Sequence, residues 1–292
     1  MASLKEVRTR IASVSSTQQV TSAMKMVSAA KFRRAQMAIM GMRPYAAQLN
    51  EIISDINVGD GVQTPYHEIR KLEKVLLVVV TSNKGLCGAF NSNVIKLASS
   101  RIDYYREEQK VSQLSLITIG RRASEFFSKT PGLVAESHDD LLDKTSFDEV
   151  ASLAEMLMER YCNKMYDRVE LIYNQFKNSL TQVLTSEQFL PVLPRAIDKK
   201  AAKTVQNDYI YEPNKESILQ EMIPLTLRSQ FYRVILDSLA AEHGARMTAM
   251  QSATDNATEL LRELNVTYNK VRQSSITNEI IEIVSGSEAL KG

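Results

Sequence analysis

The sequence predicts an α/β protein in which long N- and C-terminal helices pair as an antiparallel coiled coil and a Rossmann-like α/β domain is inserted between them. Three observations predict it. Apolar residues recur three and four apart at both ends of the chain, the middle alternates strand-like and helix-like segments, and a polar stretch separates the middle from the C-terminal helix. The 292 residues are 44% hydrophobic and 24% charged, with only 10 Gly and 7 Pro, a composition that excludes collagen-like and low-complexity classes.

The N-terminal helix is expected over residues 1–58. Leu4, Val7, Ile11 and Val14 set one stripe, and the count continues through Gln18, Thr21, Lys25 and Ser28 before turning apolar again at Phe32, Ala35, Ile39 and Met42. The seam is therefore polar in its middle. A second stripe, Val20, Met24 and Val27, is expected to take over there, because a straight helix drifts against a 3.5-residue repeat. Gly41 and Pro44 are expected to kink or break the helix, since an interior proline costs about 3 kcal/mol. It should resume through Leu49, Ile52, Ile53 and Ile56 and stop at Gly59-Asp60-Gly61.

A central domain over 72–192 follows. The run Lys74 to Val80 reads as a strand buried on both faces, and the loop Thr81 to Gly88 leads into a helix. Leu114 to Gly120 repeats the pattern, Phe147 to about Met165 reads as a helix, and Val169–Phe176 and Val183–Phe189 read as strands. The alternation implies a mainly parallel sheet. Pro194 to Asn214 reads as a polar return linker.

The C-terminal helix is placed in 209–292, with clear periodicity from about Leu225 to Val284 through Leu236, Ala240, His243, Met247, Met250, Thr254, Ala257, Leu261, Leu264, Tyr268 and Val271. If Asn57 lies level with Pro213, Leu4 falls opposite roughly residue 266, leaving about 25 residues, or ~37 Å, as an unpaired tip.

No catalytic, cofactor or metal site is expected. Cys87 and Cys162 stand apart without a metal-ligand spacing, and His67, His138 and His243 are isolated. The loop with Lys84, Gly85 and Gly88 sits where α/β folds bind phosphates, but it lacks the glycine spacing of either nucleotide motif and reads better as a tight turn. No apolar run approaches the ~20 residues of a membrane span. The N-terminus has basic residues without a signal-peptide apolar core, so the chain is expected to be mature and cytosolic.

Charge supplies the sharpest clue. Residues 1–50 carry eight basic side chains against Glu6 alone, a net +7, which leaves −5 for the rest of a chain whose total is +2. Such asymmetry suits nucleic acid, an anionic membrane or an acidic protein. With Phe32 the only aromatic before Tyr45, an acidic protein surface is favoured over nucleic acid. Met24, Met26, Met37, Met40 and Met42 fit helix packing, or else an adaptable contact surface.

The run Ser274 to Gly286, with Ile276-Thr277-Asn278-Glu279 and Glu282 ahead of the glycine, resembles the signature of the gamma subunit of F-type ATP synthases, bacterial type. Ser287 stands where that family usually has Ala. Thr21 to Lys31, Asn83 to Gly88 and Glu242 to Met250 resemble the family too, in the same order. The resemblance implies a central-stalk rotor, non-catalytic by itself, that couples rotation of an ion-driven membrane ring of c subunits to ATP synthesis in beta subunits of an alpha3-beta3 hexamer. It implies contact with an epsilon subunit and a peripheral place on the cytoplasmic face of the bacterial inner membrane. Met24, Lys25, Lys31, Arg33, Arg34 and Arg246 would face beta-subunit lever segments, and Arg272 with Gln273 a beta loop. The central domain and residues near Tyr209 to Glu212 would meet epsilon and the ring. Ile276, Ile280, Ile283 and Val284, with Ile281, would form an apolar tip held in a hydrophobic sleeve. Two other readings stay open on the sequence: a coiled-coil tether with an α/β head, and a nucleotide-using enzyme dimerised by its helices.

Overall fold

A computed structural model describes residues 3–57, 64–143, 145–178, 181–192 and 215–289. The chain divides into two compact units, residues 30–245 and residues 1–29 with 246–292. Both end helices contribute to each. Helix α1 is Leu4–Asn57 and helix α5 is Lys215–Ala289.

In the unit of residues 30–245, strands β1 (Lys74–Val80), β2 (Gln113–Ile119), β3 (Val134–Ser137), β4 (Arg168–Phe176) and β5 (Gln182–Leu190) form one sheet in the order β3-β2-β1-β4-β5. The first four run parallel, and β5 pairs antiparallel with β4 as a hairpin. Val75 to Val80 are all fully buried because helices cover both faces. On one face α2 (Phe90–Asp103) and α3 (Arg121–Phe127) bring Val94, Ala98, Ile102 and Phe127 against Val75, Leu77 and Val79. On the other, α4 (Phe147–Cys162) and the first part of α5 bring Leu157, Leu227, Phe231 and Val234 against Leu76, Val78 and Val80. The start of α5 is thus part of the α/β core, which the periodic reading from Leu225 onward did not show.

The break expected at Gly41 and Pro44 does not occur. Helix α1 runs through Gly41 and Pro44, and α5 through Pro224. Pro44 removes the hydrogen bond to the Met40 carbonyl, but Ile39 and Leu49 are buried on either side, and two such burials at about 1.5–3 kcal/mol each offset the loss. Ile223 and Leu227 flank Pro224 in the same way. The expected stop at Gly59 to Gly61 and the linker 194–214 lie outside the described residues. Strand β3 carries no legible signal, since four residues are too few for a period-2 pattern.

The end helices pair antiparallel in both units. In the larger one, Ile39 packs with Leu236 and Ala240, and Phe32 meets Phe176 edge-on at 5.4 Å. In the smaller one, Gln18 Nε2 donates to Thr258 Oγ1 at 2.8 Å and Thr254 Oγ1 to Thr21 Oγ1 at 2.8 Å. This register corrects the expected one. It puts Leu4 level with about residue 271 rather than 266, so the tip beyond the pair is roughly 27 Å of helix at 1.5 Å per residue.

The second stripe is also corrected. Val20 and Val27 are 57% and 59% exposed, whereas Thr21 and Ser28 are buried. The hydroxyls make this possible by donating to their own helix, Thr21 to the Gln18 carbonyl at 3.0 Å and Ser28 to the Met24 carbonyl at 2.7 Å, so burial leaves no polar group unmet.

Candidate functional site

The residues singled out on α1 lie along a helix whose inner side is committed to pairing. Lys31, Arg33 and Arg34 are exposed, Met24 and Lys25 half-buried. Among the described residues no acid lies within ion-pair distance of Lys31, Arg33 or Arg34. Met26, Met37 and Met40 are exposed at 57 to 65%. More than half of each thioether side chain faces solvent, which favours the adaptable contact surface over helix packing for these three. Exposed Val20 and Val27 belong with them, and sequence reasoning missed both. The available signal was the unbroken three-four count through Thr21 and Ser28, which leaves the valines on the outer side.

In the unit of residues 1–29 and 246–292, the observed register sets Lys25 level with about residue 250, one helical turn from Arg246. Arg246 differs from the α1 cations in being buried, so a partner could reach little of its surface. Arg272 and Gln273 are exposed. They stand 22 residues beyond the Lys25 level, roughly 33 Å along the axis, well apart from the α1 cations. Past them every described residue from Ile276 onward is exposed. Ile276, Ile280, Ile281, Ile283 and Val284 show 49 to 71% of their surface. Five aliphatic side chains within nine residues, open to water on one helix, amount to a patch that calls for a cover.

The phosphate-like loop is differently employed. Ser82 N donates to Asn91 Oδ1 at 2.9 Å, Ser82 Oγ to the Lys84 carbonyl at 2.6 Å, and Asn91 Nδ2 reaches Cys87 Sγ at 3.1 Å. These bonds close the turn on itself. Leu86 and Gly88 take positive φ, 62° and 59°, to make the reversal. Strand order reverses between β1 and β4, the place where open α/β sheets form a ligand crevice. Here Cys87 and Phe90 pack there against Ala241 and Ala245 of α5, with Phe176 beside them. The crevice is filled by the chain's own helix, which favours the tight-turn reading.

A half-buried polar cluster around the buried Tyr173 fastens α5 to the sheet. Glu187 of β5 accepts from Tyr173 of β4 at 2.9 Å and from Gln230 and Arg233 of α5 at 2.6 and 3.2 Å. Burial, reinforced by the Glu187 charge, pushes the Tyr173 hydroxyl well above the ordinary tyrosine range. Among the described residues no group of side chains could hold a metal ion, and no helix is long and apolar enough to cross a membrane.

Comparison with known proteins agrees with this geometry. A family model described as ATP synthase matches residues 3–290. The ATP synthase gamma chain of Flavobacterium johnsoniae is 51% identical over 294 residues, covering all of both chains, and that of Cytophaga hutchinsonii is 49% identical over 99% of each. A central stalk and c-ring structure of the Tetrahymena thermophila mitochondrial ATP synthase matches with a TM-score of 0.56 and 27% identity, over 80% of this chain and 99% of that one. A Euglena gracilis mitochondrial ATP synthase chain shares the fold, with a TM-score of 0.65 at 20% identity over 98% of this chain. Matched over its whole length at half identity, the chain belongs to the ATP synthase gamma chain family.

Proposed function

We propose that the chain is the central-stalk rotor of an ATP synthase, coupling rotation of an ion-driven membrane ring to ATP synthesis in the beta subunits, and the reverse during hydrolysis. The observation that carries this reading is the tip of α5, a helix that continues past its partner and leaves aliphatic side chains in water. A hydrophobic sleeve at the centre of an alpha3-beta3 hexamer would cover it. The chain contributes no catalytic group of its own; its parts are a stiff helix pair, contact stations and an anchored α/β domain.

In this reading Met24, Lys25, Lys31, Arg33 and Arg34 meet acidic lever segments of beta. Arg246 supports them from within the pair, and Arg272 with Gln273 meets a beta loop nearer the tip. Exposed cations that meet no acid among the described residues favour encounter with an acidic surface and fix its orientation more than they add raw affinity. The α/β domain, with the segment near Tyr209 to Glu212, meets epsilon and the c ring. The complex is peripheral on this side, at the cytoplasmic face of the bacterial inner membrane.

Co-expression with alpha and beta subunits tests the reading. A stable complex with ATPase activity is expected, and deletion of residues 277–292 should lower its yield while leaving the isolated chain's α/β domain folded. Unchanged yield would contradict the sleeve. A chain that self-associates and ignores alpha and beta would point to a tether instead.

A further inference from the structure

In the unit of residues 1–29 and 246–292, the middle of the helix seam is closed by polar groups wired in a ring. Gln18 Nε2 donates to Thr258 Oγ1 at 2.8 Å, and Thr258 Oγ1 donates to the Thr254 carbonyl at 2.8 Å. Thr254 Oγ1 donates to Thr21 Oγ1 at 2.8 Å, and Thr21 Oγ1 donates to the Gln18 carbonyl at 3.0 Å. The circuit therefore joins side chains and backbone of both helices: the Thr21 and Thr258 hydroxyls each give one proton and take one hydrogen bond, and the Thr254 hydroxyl gives one. The Thr254 hydroxyl also lies 2.8 Å from the Met250 carbonyl, a position it can fall back on if its partner across the seam is removed.

We propose that this circuit is a register lock, selecting one axial alignment of α1 against α5 where the flanking seam alone would tolerate several. Val7, Met250, Ala257 and Leu264 supply the buried apolar contacts around it. Such contacts are non-directional, so a slide by one turn or one heptad still sets apolar against apolar. The polar pair is less forgiving. Sliding α5 by four residues sets Gln18 and Thr21 against Thr254 and Met250, or against Arg262 and Thr258. Sliding by seven sets them against Gln251 and Met247, or Asn265 and Leu261. Of these alignments only the observed one gives both side chains of α1 a hydroxyl. A polar residue at a coiled-coil seam characteristically specifies register at a cost in stability. The lock depends only on the pairing of the two helices and holds whichever partner surrounds them, so its failure and that of the rotor reading are distinguishable.

The test is a spin-label distance measurement on the full chain, with Arg10→Cys and Asn256→Cys at exposed positions, Cys162→Ala removing the half-buried thiol, and Cys87 left buried. The unaltered seam should give a single narrow distance. Gln18→Leu with Thr21→Val and Thr254→Val should keep or raise the melting temperature yet add a second distance several ångströms away, as a slide of one turn, about 5.4 Å, requires. Thr21→Ser with Thr254→Ser, which keeps both hydroxyls, should restore the single distance. One unchanged distance in the apolar variant would overturn the lock, as would a second distance in the serine variant. Should the triple variant fail to fold, Thr254→Val alone should show the second distance at lower population, and its absence there would be equally decisive.

Discussion

In the α/β core, Val75 to Val80 are fully buried, each face of the sheet covered by helices of the same chain; at the far end of α5, Ile276, Ile280, Ile281, Ile283 and Val284 leave 49 to 71% of their surface in water. Similar aliphatic residues meet opposite fates. The core closes within the chain, whereas the helix tip and the outer side of α1 are left open by it. Stability and assembly should therefore respond to different mutations, and that separation can be attacked from both sides.

The largest expected effect is in the core. Leu77→Ala removes a side chain packed against α2 and should cost about 2–5 kcal/mol of stability by thermal or urea unfolding. Any assembly defect should follow from the unfolded fraction alone. Next is the tip. Ile280→Ser with Ile283→Ser should leave the melting temperature of the isolated chain nearly unchanged, yet weaken the complex with alpha and beta by about 2–4 kcal/mol if the sleeve buries what is now exposed. Equal losses in both measurements would erase the contrast.

The charged surface should matter less. Lys31→Glu, Arg33→Glu and Arg34→Glu together should slow association with the hexamer and lower affinity about tenfold at low salt, with a smaller effect at high salt. Salt-independent loss would argue for a packing role instead.

The smallest effect tests the fastening of α5. Tyr173 has a folded pKa raised above its unfolded value, so its contribution is fully present below about pH 10 and is lost as pH rises from there through the folded value. Alkaline melting should therefore steepen above about pH 10. Tyr173→Phe should flatten part of that decline, while lowering stability near neutrality by about 1 kcal/mol through the Glu187 bond it deletes. Other tyrosines raised by burial, Tyr66, Tyr105, Tyr161 and Tyr232, leave the remainder.

What the sequence disclosed divides along the same line. Strand β1 was legible because Lys74 to Val80 is a continuous apolar run, and both end helices because their spacing persists beyond any ordinary helix. Hidden were features set by tertiary packing. Pro44 and Pro224 are carried through helices by buried neighbours, β3 exists by pairing with β2, and α5 closes the crevice beside Cys87 with Ala241 and Ala245. The register lay in hydroxyls that propensity counts as neutral. The basic collar was visible as charge; the valines beside it were assigned to the wrong side because hydroxyls, not valines, fill that part of the seam.

The most direct test of a shaft completed by its partners is rotation itself. With the alpha, beta and gamma-type chains assembled and the hexamer fixed to a surface, a bead tethered to the α/β domain at an introduced exposed cysteine should turn steadily in one direction while ATP is hydrolysed. A complex that hydrolyses ATP with the bead only jittering about one position would contradict the account.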